Sequence, residues 1–251
     1  MSAEVVIIAG DYGSGKSFST INMPEEESFL VSVTGKPLPY VGWKNKWRTQ
    51  TLNKGTEKEL KQNMYVSMDP QLIVDVLIKI HNARPHVKYF IIDDTTYTMA
   101  SEFMKRRKEK SYEKWTDLSW QIWSLLREPM ENFRDGTIVF FMWHTEEVET
   151  SDELGSSIKR RCKTLGRSLN KNVGIEGLCR MVLFTHVEPT TPDPRERYFF
   201  ATQNTGDTTA KSPYQMFGKT LIPNDLAYVA KRIEEYDNQG IIEEWADELG
   251  E

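Results

Sequence analysis

Apolar positions along this chain fall into two patterns. Near-continuous apolar runs occupy residues 4–9 (EVVIIA), 28–33 (SFLVSV), 87–94 (VKYFIIDD), 136–144 (GTIVFFMWH) and 178–187 (LCRMVLFTHV). Runs of this kind suit strands buried on both faces of a sheet, as in parallel α/β proteins. A further strand, RYFFATQN at 197–204, pairs with 178–187 as a hairpin across EPTTPDPRE. The other pattern is helical. DPQLIVDVLIKIHN at 69–82 opens with an Asp cap and a proline in the first turn. Helical stretches follow at about 95–110 and 112–134. In the second, Trp115, Leu118, Ile122, Leu125, Leu126, Met130 and Phe133 form an apolar stripe, which reads as core, and Pro129 is expected to kink it. A short helix after the first strand runs to about Asn22, and PNDLAYVAKRIEEYDN, 223–238, forms a late helix. Residues 34–65 show little periodicity and read as loop or a small hairpin.

Strands that alternate with helices predict an α/β fold with a mainly parallel central sheet flanked by helices, plus a C-terminal hairpin and helix. One domain accounts for the 251 residues. Its core is about 1–33 and 66–204, with 34–65 inserted and 205–251 supplying the last helix and an acidic tail. Ligands of such sheets bind at the carboxyl ends of the strands. Those ends are Gly10, Asp93, His144 and His186.

The first of these ends carries GDYGSGKS, a G-x-x-x-x-G-K-S phosphate loop. Its glycines let successive backbone N–H groups curl toward an anion, and the following helix adds the positive end of its dipole. Gly10, Asp11, Tyr12, Gly13, Ser14, Gly15, Lys16, Ser17 and the adjoining Phe18 are therefore the expected nucleotide-binding residues. Lys16 reaches the outer phosphates and the Ser17 hydroxyl holds Mg²⁺. The expected cofactors are ATP and Mg²⁺, although a backbone cradle is blind to the base.

Asp93 and Asp94 end the strand YFIIDD. Asp93, after four apolar residues, reads as the second metal-holding group, and Asp94 as the group that orients or deprotonates the attacking water. The two can be exchanged on sequence alone, and a plain pair of helix-capping acids before Thr95 and Thr96 is the blander alternative. His144 closes IVFFMW. It is either a sensor of the terminal phosphate, passing its state to the following loop TEEVETSDELGSS, or a histidine satisfied by nearby backbone. Cations for a transition state are sought among Arg160, Arg161, Arg167 and Lys211, each of which also reads as a solvated surface charge. Lys211 lies in a late loop that would reach a neighbouring subunit's nucleotide.

Formal net charge is −5, which argues against a uniformly basic nucleic-acid coat. Local segregation is nevertheless marked. Lys36, Tyr40, Trp43, Lys44, Lys46, Trp47 and Arg48 interleave cations and aromatics, the composition of a single-strand-binding groove. An ordered lid whose tryptophans pack on the domain remains equally open. The tail IIEEWADELGE is the reverse, rich in acids. The two cysteines, Cys162 and Cys179, form no metal or redox motif and read as reduced thiols. No apolar run approaches a membrane span, and the start, MSAEVVIIAG, has no basic n-region, so a cytoplasmic protein is expected.

Taken together, GDYGSGKS, FIIDD, FFMWH and the late TQNTGDTTAKSPYQMF…IPNDL resemble the phage-type P-loop ATPases with a RecA-like core, and within them the compact ATPase family of phage recombination and single-strand annealing proteins. The likeness runs over nearly the whole chain. It implies an ATP-dependent protein that binds single-stranded DNA in phage recombination or replication, inside a host bacterium. It also implies work beside a single-strand binding protein, and rings or filaments with nucleotide sites between subunits. By position, Gly10 to Ser17 would bind phosphates and Asp93 would be the Walker B acid. One departure matters: a RecA-type catalytic glutamate is expected at the end of the second strand, which here ends SVTGKPLP without an acid. Catalysis through Asp94, or weak hydrolysis, is what remains. A nucleotide-switched assembly factor and a P-loop small-molecule kinase are the competing readings, and no acceptor-site signature supports the kinase.

Overall fold

The computed structural model describes residues 3–49, 62–111, 113–152, 155–165, 174–191, 193 and 196–239. Its centre is a mostly parallel sheet flanked by helices. The strands are β1 (Glu4–Ala9), β2 (Ser28–Ser32), β3 (Met64–Val66), β4 (Tyr89–Asp93), β5 (Ile138–Trp143), then β6 (Thr145–Asp152) and β7 (Gly155–Cys162), and finally β8 (Met181–Val187), β9 (Tyr198–Ala201) and β10 (Leu221–Pro223). Eight of them form one sheet in the order β10-β9-β8-β1-β5-β4-β2-β3, and β6 and β7 form a separate ribbon. From β8 across to β3 every pairing is parallel, whereas β9 and β10 add antiparallel pairs at one edge.

Side chains alternate between the two faces of a strand, and here both faces are covered. Val5, Ile7, Phe90, Ile92, Val139, Phe141, Val182 and Phe184 point into one apolar cluster, with Ile73, Leu77, Ile122 and Leu125 above them. Those last residues come from α2 (Pro70–Ala83) and α4 (Glu113–Asn132). Val6, Ile8, Leu30, Ile91, Phe140, Met142 and Leu183 point the other way, onto Leu226, Val229 and Ile233 of α6 (Leu226–Gln239). This three-layer burial explains why the strands read as unbroken apolar runs.

The helices start where the sequence sets them. Asp69 caps α2, its carboxylate accepting from the backbone N–H groups of Gln71 at 3.0 Å and Leu72 at 3.3 Å, with Pro70 in the first turn. The helix read at about 95–110 is α3 (Thr96–Lys105), and α4 continues through Pro129.

Three expectations need correction. The helix expected to run to about Asn22 is a single 3-10 turn, Ser17–Thr20. The stretch 34–65, read as loop or a small hairpin, contains a short helix, α1 (Trp43–Lys46), and the start of β3, and Trp47 packs into the domain as the ordered-lid alternative has it. The segment after His144, read as a loop, is the β6–β7 ribbon, in which Glu146 faces Arg161 and Glu147 faces Arg160. Opposite charges across the ribbon replace the apolar alternation that would have announced it. A short helix α5 (Ile175–Leu178) leads into β8. The acidic tail, 240–251, lies outside the described residues. Among the described residues no helix is long and apolar enough to cross a membrane.

Phe140 is fully buried at the centre of the sheet. Phe140→Ala is expected to cost about 3–5 kcal/mol of stability, read from the urea midpoint, by opening a cavity between sheet and α6.

Candidate functional site

The glycine-rich loop 10–17 leaves β1 at Gly10, whose N–H donates to Trp143 O on β5 at 2.9 Å. Gly10 has no room for a side chain: a Cβ there would lie 1.8 Å from Thr185 Oγ1 of β8. Thr185 Oγ1 in turn donates to Ser14 Oγ at 2.8 Å, and Ser14 Oγ to Asp11 O at 2.6 Å, so a hydroxyl relay ties the loop to the sheet edge. Gly15 takes a positive φ of 94°, a conformation that glycine adopts without the Cβ strain of other residues.

Lys16 is buried and curls back, its Nζ donating to Gly10 O at 2.8 Å and Asp11 O at 2.7 Å. These carbonyls hold the ammonium over the loop. Burial lowers its pKa to about 8, against the pull of Asp94, Asp93 and Asp11. Next in the chain, Ser17 Oγ donates to Asp93 Oδ1 at 2.9 Å. The loop hydroxyl and the β4 acid, 76 positions apart in sequence, thus meet directly.

Asp94 turns into the site through a left-handed backbone, φ 62°, unusual for a residue other than glycine. Its Oδ2 accepts from Thr34 Oγ1 at 2.9 Å and from Lys36 Nζ at 3.4 Å. Its Oδ1 lies 3.2 Å from His144 Nε2, an electrostatic contact too bent for a well-aligned hydrogen bond. His144 is buried, packed between Tyr12 at 4.4 Å and Tyr97 at 5.5 Å between ring centroids, and its backbone N–H donates to Thr96 Oγ1 at 2.9 Å. Among the described residues neither ring nitrogen has a well-formed hydrogen bond, and Nε2 keeps only its contact with Asp94. A histidine satisfied by backbone, the plainer of the two readings, is therefore not what is observed.

Environment splits the acid pair. Burial, then the charge of Asp94, raises the pKa of Asp93 to about 6, despite the Ser17 hydrogen bond and Lys16. Burial also opposes ionisation of Asp94. The contacts with His144, Thr34 and Lys36 outweigh it and hold that pKa at about 2. A carboxylate so acidic is a poor proton acceptor at neutral pH, so Asp94 is suited to orienting a water rather than deprotonating it.

These groups line a cavity of about 480 Å³, bounded by the loop from Tyr12 to Phe18, by Lys36, Pro37 and Pro39, by Asp93, Asp94 and His144, and by Tyr198. The strand-edge rule locates most of it. Tyr198 is not among the residues expected there, nor was Thr34 expected to hold Asp94, and Lys36 was expected at a nucleic-acid surface instead. Lys36 and Thr34 follow β2 at the same edge as Gly10 and Asp93, so that rule contained the signal. Tyr198 comes from antiparallel β9, which carries no motif.

Other expected residues lie elsewhere. Trp47 is buried, its Nε1 donating to Tyr40 OH at 2.6 Å, so it belongs to the core and not to a stacking surface. Lys46 Nζ is bound to Ile21 O at 2.6 Å, and Arg48 pairs with Glu25. Only Trp43, half-buried, with exposed Lys44 5.7 Å from its ring centroid, keeps the interleaved character. Arg160 pairs with Asp207 at 3.2 Å and Arg161 with Glu146 at 2.9 Å, and neither lines the cavity. Lys211 bridges Val182 in β8 and does not line it either. Arg167 lies outside the described residues. His186, at the end of β8, sits near Glu188 at 4.0 Å and also misses the cavity. Both cysteines are buried free thiols with raised pKa, Cys179 reaching about 12 through burial.

Among the described residues there is no cluster of three or more His, Cys, Asp or Glu side chains able to hold a metal alone. The pair Ser17 and Asp93 fits Mg²⁺ in another way, since that ion commonly takes one or two protein oxygens, waters and substrate phosphates. Compared with known proteins, the sequence matches no family model and no curated protein.

Because Asp93 is more basic in the fold than its ordinary 3.8, the stability of the metal-free protein is greatest with Asp93 protonated and falls as pH rises through about 6. Asp93→Asn is expected to stabilise the protein in EDTA at pH 7 by about 2–3 kcal/mol. The gain should shrink toward about pH 4, as read from urea midpoints across that range.

Proposed function

We propose that this protein binds Mg²⁺ and ATP at the loop 10–17 and hydrolyses the nucleotide, with a RecA-like arrangement of loop and acids. The observation that carries the reading is the 2.9 Å contact between Ser17 Oγ and Asp93 Oδ1. It joins the two protein oxygens that the chemistry requires at one metal. The parallel sheet, with the loop after β1 and the acid at the end of β4, is compatible with that core.

In this reading the loop N–H groups and Lys16 bind the phosphates, Lys16 exchanging two backbone carbonyls for phosphate oxygens. Mg²⁺ would neutralise charge on the phosphates, held by Ser17 and Asp93. Asp94, fixed by Thr34 and Lys36, orients the attacking water. Lys36, 62% exposed at its side chain, lies beside the same acid and supplies positive charge from within the chain. His144 touches Asp94 and begins the passage into β6, so a change at the terminal phosphate is conveyed to the ribbon.

Coupling to single-stranded DNA, in phage recombination or replication, is proposed from the family resemblance and from the Trp43–Lys44 surface. A second reading, a nucleotide-switched assembly protein with slow turnover, is favoured by one observation. The acid best placed to act as a base, Asp94, is held at a pKa of about 2 by its contacts.

The test is phosphate release from ATP with Mg²⁺, with and without single-stranded DNA. Turnover should rise with DNA and fall about a hundredfold or more in Lys16→Ala and Asp94→Asn. Tight ATP binding without turnover would favour the assembly protein. Absence of binding would remove both readings.

A further inference from the structure

The phosphate cavity has two distinct ends. One is closed by Asp93, Asp94, His144 and Lys36, which mark the terminal-phosphate side. At the other, Phe18 and Tyr198 form a wall shared with a second cavity of about 710 Å³. Their ring centroids are 6.2 Å apart and the rings are tilted by 41°. A nucleotide whose phosphates lie in the loop would project its sugar and base past Phe18 into this second space.

The second cavity holds an unpartnered amide. Asn224 is 8% exposed, yet among the described residues neither its Oδ1 nor its Nδ2 has a hydrogen-bond partner. Burying an amide in this state is costly, and native side chains of this kind are nearly always paired. Asn224 is also close to the loop, since a Cβ on Gly15 would lie 3.2 Å from its Nδ2 and 2.9 Å from the Tyr198 ring. The terminal torsion of an asparagine is broad, so modest rotation turns the amide edge into the cavity. Asp225 beside it is already engaged. Its Oδ1 accepts from Ala227 N at 2.9 Å and its Oδ2 from Asn22 Nδ2 at 2.8 Å.

We propose that the cavity bounded by Phe18, Tyr198 and Asn224 is an adenine-reading pocket, an inference that rests on the phosphate-loop reading and deepens it. An asparagine amide offers one donor and one acceptor, which match the exocyclic amine and a ring nitrogen of adenine. Guanine's outer edge presents two acceptors, the pattern met by lysine or arginine, and neither lines this cavity. Its 2-amino group would need a further acceptor: Asp225 is occupied, and Glu196, the other carboxylate lining the cavity, is on an exposed residue. Phe18 and Tyr198 supply the aromatic surface on which a base stacks.

Dissociation constants for ATP, GTP and tripolyphosphate, each with Mg²⁺, test this in the full chain, in Asn224→Ala and in the similarly shaped Asn224→Leu. Thermal melts confirm that both variants fold. The unaltered chain should bind ATP about tenfold tighter than GTP. Both variants should bring the two nucleotides within about twofold while tripolyphosphate binding stays unchanged. An ATP preference that survives both variants overturns the pocket. So does equal binding of ATP and GTP by the unaltered chain, or tripolyphosphate binding as tight as that of ATP. Failure of the unaltered chain to bind either tripolyphosphate or ATP instead overturns the phosphate-loop reading, and the pocket with it.

Discussion

Parallel pairing of β1 with β5, and of β5 with β4, is the constraint on which the site depends. The register sets Ala9 beside Trp143 and Ile92 beside Phe141. Because the three strands run the same way and end together, the chain leaves the sheet at Gly10, Asp93 and His144 along one edge. Both sheet faces are buried, so a slip of one residue would turn every apolar side chain to the wrong layer. The core therefore holds the polar groups at the edge in place.

That edge is electrostatically uneasy. Lys16, Asp93 and His144 are all buried at the rim of an apolar sheet. Two adjacent carboxyl groups there cannot both be comfortably ionised, and the structure resolves the conflict by giving them different company. Asp94 receives Thr34, Lys36 and the neighbourhood of His144, whereas Asp93 receives one hydroxyl from Ser17 and deeper burial. The result is one permanently ionised acid and one whose ionisation would be stabilised by a cation. A site arranged like this sacrifices stability when empty, as strained and desolvated functional sites generally do.

Much of the fold was legible because the strands are buried on both sides. A continuous apolar run as short as IVFFMW, bounded by polar residues, suits a central strand covered by helices on each face. Asp69-Pro70 marks a helix start by simple capping chemistry. The tight turn at 10–17 was legible for a similar reason: its glycines mark an abrupt exit from a buried strand, and Gly10 and Gly15 leave no room for a side chain or take a positive φ. The β6–β7 ribbon was not, since its pairing is written in complementary charges, Glu146 with Arg161, rather than in hydrophobic alternation. Cations around Trp47 in sequence left a stacking surface and a packed lid equally open, and only the structure shows its ring buried with its N–H on Tyr40. Tyr198 and Asn224 reach the loop only through the antiparallel edge of the sheet and the turn into α6. Sequence separations of that size leave no local signal.

In the proposed mechanism the loop lysine and serine exchange their present partners for a nucleotide and its metal. A structure with Mg²⁺ and a non-hydrolysable ATP analogue tests this most directly. Lys16 Nζ should leave Gly10 O and Asp11 O for phosphate oxygens. Ser17 Oγ should give up its direct contact with Asp93 to bind the metal between them. A nucleotide bound elsewhere, with Lys16 still on those two carbonyls, would contradict the mechanism.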